Sequence, residues 1–190
     1  MSKILIKIGI KSKNALKERL NSKIKNKVLE DYLKLIKQNK NKLLIENKKD
    51  IKTAKTKKLK ENFIKRLSLN SQKINAIIKS IKTIIKFEDP VDFELDRWKR
   101  PNGLEIKKVT IPIGVIGVIY ESRPNVTADV STLCFKSGNS VILRGGTEAY
   151  SSNKILANLF RKALQKNKIN KNFVQFIDNK NRKLVDFMLS

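Results

Sequence analysis

Residues 112–146 read PIGVIGVIYESRPNVTADVSTLCFKSGNSVILRGG. Apolar runs alternate there with turn-formers. Val115 to Tyr120 reads as a strand, Glu121 to Asn125 as a polar turn and Thr127 to Lys136 as a helix. A Gly-Asn turn, a second strand at Ser140 to Leu143 and a Gly-Gly turn follow. Both strands are short and almost wholly apolar, the pattern of strands buried on both faces in a parallel sheet covered by helices. Six of the seven glycines and all four prolines lie between Pro90 and Gly146, so sharp turns and close backbone approaches are concentrated here.

Downstream, Thr147 or Glu148 opens another helix, with Ile155, Leu156, Leu159, Phe160 and Leu164 on one face. Phe173 to Ile177 is a third short strand, and Asn181 onwards is helical. Strand–helix–strand–helix–strand predicts a parallel sheet. Three such strands make an incomplete doubly wound sheet. The apolar run Leu184, Val185, Phe187, Met188, Leu189 continues to the last residue without a cap, which reads as an interruption. Upstream, Phe93 to Arg100 and Leu104 to Ile111 flank a Pro101-Asn102-Gly103 turn and read as a hairpin. The alternative is that the basic second arm pairs with another chain. Residues 15–58 read as helices with a polar break at Gln38 to Asn41. Ile74, Ile77, Ile78, Ile81, Ile84 and Ile85 form a second helical stripe, opened by Ser71 as N-cap. The expected class is therefore α/β: a helical N-terminal segment (1–89), a hairpin (90–111) and a partial Rossmann-like domain (112–190).

The formal net charge is +26, and residues 1–89 hold 26 Lys/Arg against 8 Asp/Glu. A nucleic-acid partner is the first class that this balance raises. Yet the cations are dispersed lysines, arginine is scarce and aromatics make up 6% of residues, which is poor material for base readout. A compositional bias towards Lys, Ile and Asn is the better reading. The absence of histidine removes Ser-His-Asp and Cys-His catalysis within these residues, with every His-based metal site, and no metal is expected. One cysteine, no long apolar run and lysines interrupting the opening residues give an expectation of a soluble, cytoplasmic protein.

In open parallel sheets ligands bind beyond the carboxyl ends of the strands. Two turns fall there. In Arg144-Gly145-Gly146-Thr147, glycines admit a close ligand, a helix N-terminus favours an anion and Arg144 adds positive charge. An ordinary strand-to-helix turn, with Gly for geometry, accounts for the same residues. In Glu121 to Asn125, Arg123 is a candidate for a carboxylate or phosphate and Asn125 for an oxyanion donor. A solvent-exposed arginine and an Asn N-cap are the competing readings. Cys134, between Leu133 and Phe135, reads as a buried small hydrophobe.

At these residues the sequence closely resembles gamma-glutamyl phosphate reductase, also called glutamate-5-semialdehyde dehydrogenase, of the aldehyde dehydrogenase superfamily. YESRPNVT and GNSVILRGG carry the resemblance, supported by LLIENKKDIKTAK, DRWKRPNGLEIKKVTIPIG and VQFIDNKNRKLVDFML. The resemblance implies NADPH-dependent reduction of L-glutamyl 5-phosphate to glutamate 5-semialdehyde in proline biosynthesis. A cysteine attacks the acyl phosphate and the thioester accepts hydride. It implies that Arg144, Gly145 and Gly146, with Glu148 beside them, hold the cofactor and that Asn125 stabilises the oxyanion; Arg123 stays the candidate contact to substrate. It also implies oligomerisation-type strands at 90–111 and a homo-oligomer for a full member. The family's nucleophilic cysteine lies in a second half that these residues do not include, and Cys134 does not match it. The expectation is an N-terminal portion, inactive alone, from a truncated, frameshifted or split gene, with a separate C-terminal chain as one partner. A basic nucleic-acid-binding or docking module built from half the enzyme domain is the alternative.

Overall fold

Asparagines set several helix limits in the first half of the chain. The structure, a computed structural model, describes residues 2–189. After α1 (Ser2–Ala15), Asn21 caps α2 (Ser22–Gln38) by accepting from the Ile24 N–H at 2.9 Å. Only Asn39 separates α2 from α3 (Lys40–Thr56), and its side chain donates to the Leu35 carbonyl. The short α4 (Glu61–Leu67) precedes α5 (Ser71–Lys86). Ser71 is the first helical residue, and the cap is Asn70, which accepts from the Lys73 N–H at 2.8 Å. An Asn side chain satisfies an orphan N–H as well as serine does, so either residue suited the position.

Strands β1 (Glu94–Lys99) and β2 (Glu105–Val109) pair antiparallel within this chain. Gly103 takes φ +86° in the turn, and the Gly103 N–H donates to the Arg100 carbonyl at 2.9 Å. Trp98, Leu95 and Val109 stand exposed on this ribbon.

Then come β3 (Val115–Tyr120), α6 (Pro124–Lys136), β4 (Ser140–Gly145), α7 (Tyr150–Lys166), β5 (Val174–Phe176) and α8 (Lys183–Leu189). The sheet order is β3-β4-β5, all parallel, with Val115 opposite Ser140 and Tyr120 opposite Gly145. Helices α6 and α7 cover one face, with α2, α3 and α5 packed outside them; α1 and α8 lie on the other. One apolar core runs from Val28, Tyr32 and Ile36 of α2 through Phe135 and Phe160 to Leu143 and Val174 of the sheet.

Burial differs from the sequence expectation at β3. Val141 and Leu143 of β4 are fully buried, but Val115 is 37% and Ile119 41% exposed. Among the described residues β3 has a hydrogen-bonded neighbour on one side only, and α1 packs chiefly on β4. An apolar run reports what a strand can bury; its place in the sheet decides what it does bury.

Buried polar contacts join the layers. Asp50 of α3 accepts from the Ser151 and Ser152 N–H groups at 3.0 and 2.8 Å, closing the N-terminus of α7. Lys25 of α2 is 1% exposed; its Nζ lies 2.6 Å from Asp89 and donates to the Lys136 carbonyl at the end of α6. Lys136 in turn donates to Asn26 and to the Ile85 carbonyl.

Candidate functional site

The carboxyl ends of the three strands open into one cleft of about 600 Å³. Its walls are the turn after β3 (Glu121, Ser122), the turn after β4 (Arg144 to Glu148) and the segment after β5 (Lys180, Arg182), with Phe63 of α4 at the side. Arg144, Gly145, Gly146 and Glu148 are thus brought together, as the sequence placed them.

The glycines are there for a reason of packing. Neither has a positive φ. A Cβ on Gly145 would stand 2.2 Å from Asn153 Nδ2 and 2.9 Å from the Tyr120 ring, and one on Gly146 would stand 2.5 Å from Ser122 Oγ. The close approach is made by these protein side chains. Tyr120 and Asn153 are held by Thr127, which donates to Asn153 Oδ1 at 2.9 Å and accepts from the Tyr120 hydroxyl at 2.6 Å. Burial raises the Tyr120 pKa to about 12, so this hydroxyl stays protonated. Gly145→Ala should therefore cost about 1–3 kcal/mol, the usual cost of overpacking, read as a lower urea midpoint with unchanged slope.

Arg144 is 6% exposed. One guanidinium nitrogen donates to the Gly145 carbonyl and the other reaches the Lys180 and Asn181 carbonyls at 3.4 Å, tying the turn after β4 to the segment after β5. Burial pulls its pKa down, and Glu148 and Tyr120 oppose that pull. Its Nε is buried without a partner among the described residues. Glu148 accepts from Thr147 Oγ1 at 2.8 Å and Ser122 Oγ at 3.1 Å, with Lys57 Nζ 4.0 Å away. Burial works against ionisation of Glu148; hydrogen bonds from Thr147 and Ser122, with the Lys57 charge, outweigh it and hold its carboxyl below the usual range. The exposed cations of the cleft are Lys180 and Arg182. Sequence reasoning passed over both, although they follow the third strand, where the strand-end rule applies equally.

Arg123 and Asn125 lie apart from this group. Arg123 is exposed and lines neither this cleft nor its neighbour. Pro124 opens α6, where its missing N–H costs nothing. Asn125 does not cap the helix; it is exposed, and its Nδ2 donates to Asp129 Oδ2 at 3.2 Å. It borders a second cleft of about 370 Å³ with Arg66, Ser80 and Asp129. The turn from Glu121 to Asn125 therefore separates two clefts. A third, of about 540 Å³, lies against the outer side of α7 beside Lys42, Lys154 and Arg161, away from the carboxyl ends of β3 and β4.

The chain matches a solved structure of a gamma-glutamyl phosphate reductase from Thermotoga maritima. It superposes with a TM-score of 0.92 and 38% identity, over 95% of this chain and 44% of that one. A curated gamma-glutamyl phosphate reductase from Hydrogenobaculum sp. is 41% identical over 192 residues, covering 100% of this chain and 44% of the relative. Another, from Desulforamulus reducens, is 46% identical over 128 residues, 67% of this chain and 31% of the relative. This chain is a homologue of the gamma-glutamyl phosphate reductases. It spans less than half the length of these relatives. A putative aldehyde dehydrogenase from Bacillus subtilis, 15% identical, shares the fold with a TM-score of 0.71. No family model matches the chain.

Cys134 lines neither the strand-end cleft nor the cleft beside Asp129. It is 8% exposed in the core, and burial raises its pKa to about 11. A thiol protonated at neutral pH and screened from solvent is a poor nucleophile. No helix among the described residues is long and apolar enough to cross a membrane.

Proposed function

We propose that this chain forms the NADP(H)-binding side of a gamma-glutamyl phosphate reductase, which reduces L-glutamyl 5-phosphate to L-glutamate 5-semialdehyde with release of phosphate. The observation that carries the reading is the cleft at the carboxyl ends of β3, β4 and β5, in a chain 41% identical to such a reductase along its whole length.

The cleft residues suit the cofactor. Glu148, ionised and fixed by Ser122 and Thr147, accepts hydrogen bonds from ribose hydroxyls. Arg182, and Lys180 with its Nζ 4.6 Å from the centre of the Tyr150 ring, offer exposed cations to a ribose 2′-phosphate, while Arg144, with an unpartnered buried Nε, ties the turn after β4 to the segment after β5. When bound, the cofactor supplies the hydride. Asn125, just beyond the shared turn, is the proposed oxyanion donor, and exposed Arg123 the proposed contact to the acyl phosphate. The sequence holds one cysteine, Cys134, and its burial excludes it from forming the thioester.

A polypeptide of these 190 residues should bind NADPH, seen as enhanced nucleotide fluorescence. It should not consume NADPH when glutamyl phosphate is generated in the same cuvette. Glu148→Ala should weaken binding by about tenfold or more, the loss of a charge-assisted hydrogen bond. Turnover by the wild-type polypeptide, or binding indifferent to Glu148, would overturn the assignment.

A further inference from the structure

The second cleft lies on the far side of the turn from the proposed cofactor site, between α4, α5 and α6. We infer that it holds the α-amino-acid head of the substrate, with Asp129 taking the ammonium and Arg66 the α-carboxylate. The inference rests on the reductase reading and adds the residues that would make it selective for an amino acid.

Asp129 is half-buried and doubly held. Its Oδ1 accepts from Ser80 Oγ of α5 at 2.9 Å, and its Oδ2 accepts from Asn125 Nδ2 at 3.2 Å. An ionised carboxylate has about four acceptor sites, so two donors leave capacity facing the cleft. Asp129 makes no ion pair among the described residues. A fixed, half-buried carboxylate without a cation suits a ligand that brings its own.

The complementary charge is Arg66, in the last turn of α4. The other cation of the cleft, Lys73, is engaged: its Nζ donates to the Lys65 and Ser68 carbonyls at 2.6 and 2.7 Å. Arg66 makes no ion pair among the described residues, and its planar fork matches a carboxylate. Leu69 and Ile77 supply an apolar wall for methylenes between the two ends of the ligand. Asn125 precedes Asp129 by one helical turn, a rise of about 5.4–6 Å. An amino acid anchored at Asp129 with its side chain directed towards the N-terminus of α6 passes Asn125 and reaches the turn shared with the cofactor cleft.

The test is an amide-shift titration of the 190-residue chain with L-glutamate, glutarate, which lacks the ammonium, and γ-aminobutyrate, which lacks the α-carboxylate. L-glutamate should move the Ser80, Asn125 and Asp129 amides and bind about tenfold more tightly than either analogue. Asp129→Asn should abolish the preference over glutarate, and Arg66→Gln the preference over γ-aminobutyrate, with all other amide positions retained as proof of folding. Equal binding of glutarate, or L-glutamate binding unchanged in both variants, overturns the inference. NADPH titrated into the same samples separates the two readings. An NADPH response without an L-glutamate response removes only the amino-acid site, and silence to both ligands removes the reductase reading with it.

Discussion

Asp89→Ala is expected to cost about 3–5 kcal/mol of folding stability, the penalty for stranding a buried charge. Asp89 Oδ1 lies 2.6 Å from Lys25 Nζ, and the Lys25 side chain is 1% exposed. Lys136, itself 3% exposed, adds a second cation to the same region; burial lowers its pKa, Asp89 raises it and Lys25 lowers it again. Asp89 is thus the carboxylate that balances two buried ammonium groups. Its loss leaves Lys25 with the Lys136 carbonyl alone. Lys25 sits on α2 and Lys136 on α6, so the damage falls on the junction between the N-terminal helices and the sheet layer. The expected result is a lower urea midpoint with both halves still unfolding together. Replacing Lys25 by Met in the same variant removes the stranded charge and should restore most of the loss, because an apolar substitute for a buried ion pair is often neutral. No recovery in the double variant would show that the cost lay elsewhere.

Phe135→Ala is expected to cost a similar amount, about 3–5 kcal/mol, from lost burial and the cavity left behind. Phe135 is fully buried. Its ring meets Phe160 of α7 edge-on at 5.6 Å and Phe173, just before β5, at 5.4 Å; Phe160 stacks tilted against Tyr32 of α2 at 4.6 Å. Four rings from four parts of the chain meet here, so removing the middle one loosens every layer. Phe135→Leu, which keeps most of the volume, should cost under about 1.5 kcal/mol. Equal losses in the two variants would mean that aromatic geometry, and not filled volume, holds the centre.

Much of this was legible in the residues, for identifiable reasons. The isoleucine stripe of α5 and the Ile155 to Leu164 face of α7 are unbroken at helical spacing, and all their central members are buried. The strand-end turns were findable because glycine and polar residues interrupt apolar runs there. α1 was not legible: lysines interrupt its apolar residues, and Ile4, Ile6 and Ile10 stand exposed. Its place depends on partners far along the chain, such as Gln175, whose Nε2 donates to the Ile8 carbonyl and Ser12 Oγ at 2.7 and 2.8 Å. α4 is too short to show a period. In the cleft, the residue types were visible but their directions were not. Arg144 looked like a free cation, whereas its guanidinium is spent on backbone carbonyls, a contact set by a segment some 36 residues later. Asn125 and Arg144 are neighbours in the logic of strand ends, but the Glu121 to Asn125 turn separates the cleft that each borders.

The strand-end cleft is the proposed nicotinamide-nucleotide site, and its most direct test is where NADPH acts on the folded chain. In an amide-shift titration of the 190 residues, the changes should concentrate on Ser122, Arg144 to Glu148 and Lys180 to Arg182. Saturable changes confined instead to the basic cleft beside Lys154 and Arg161, or no changes in a folded sample at millimolar NADPH, would contradict it.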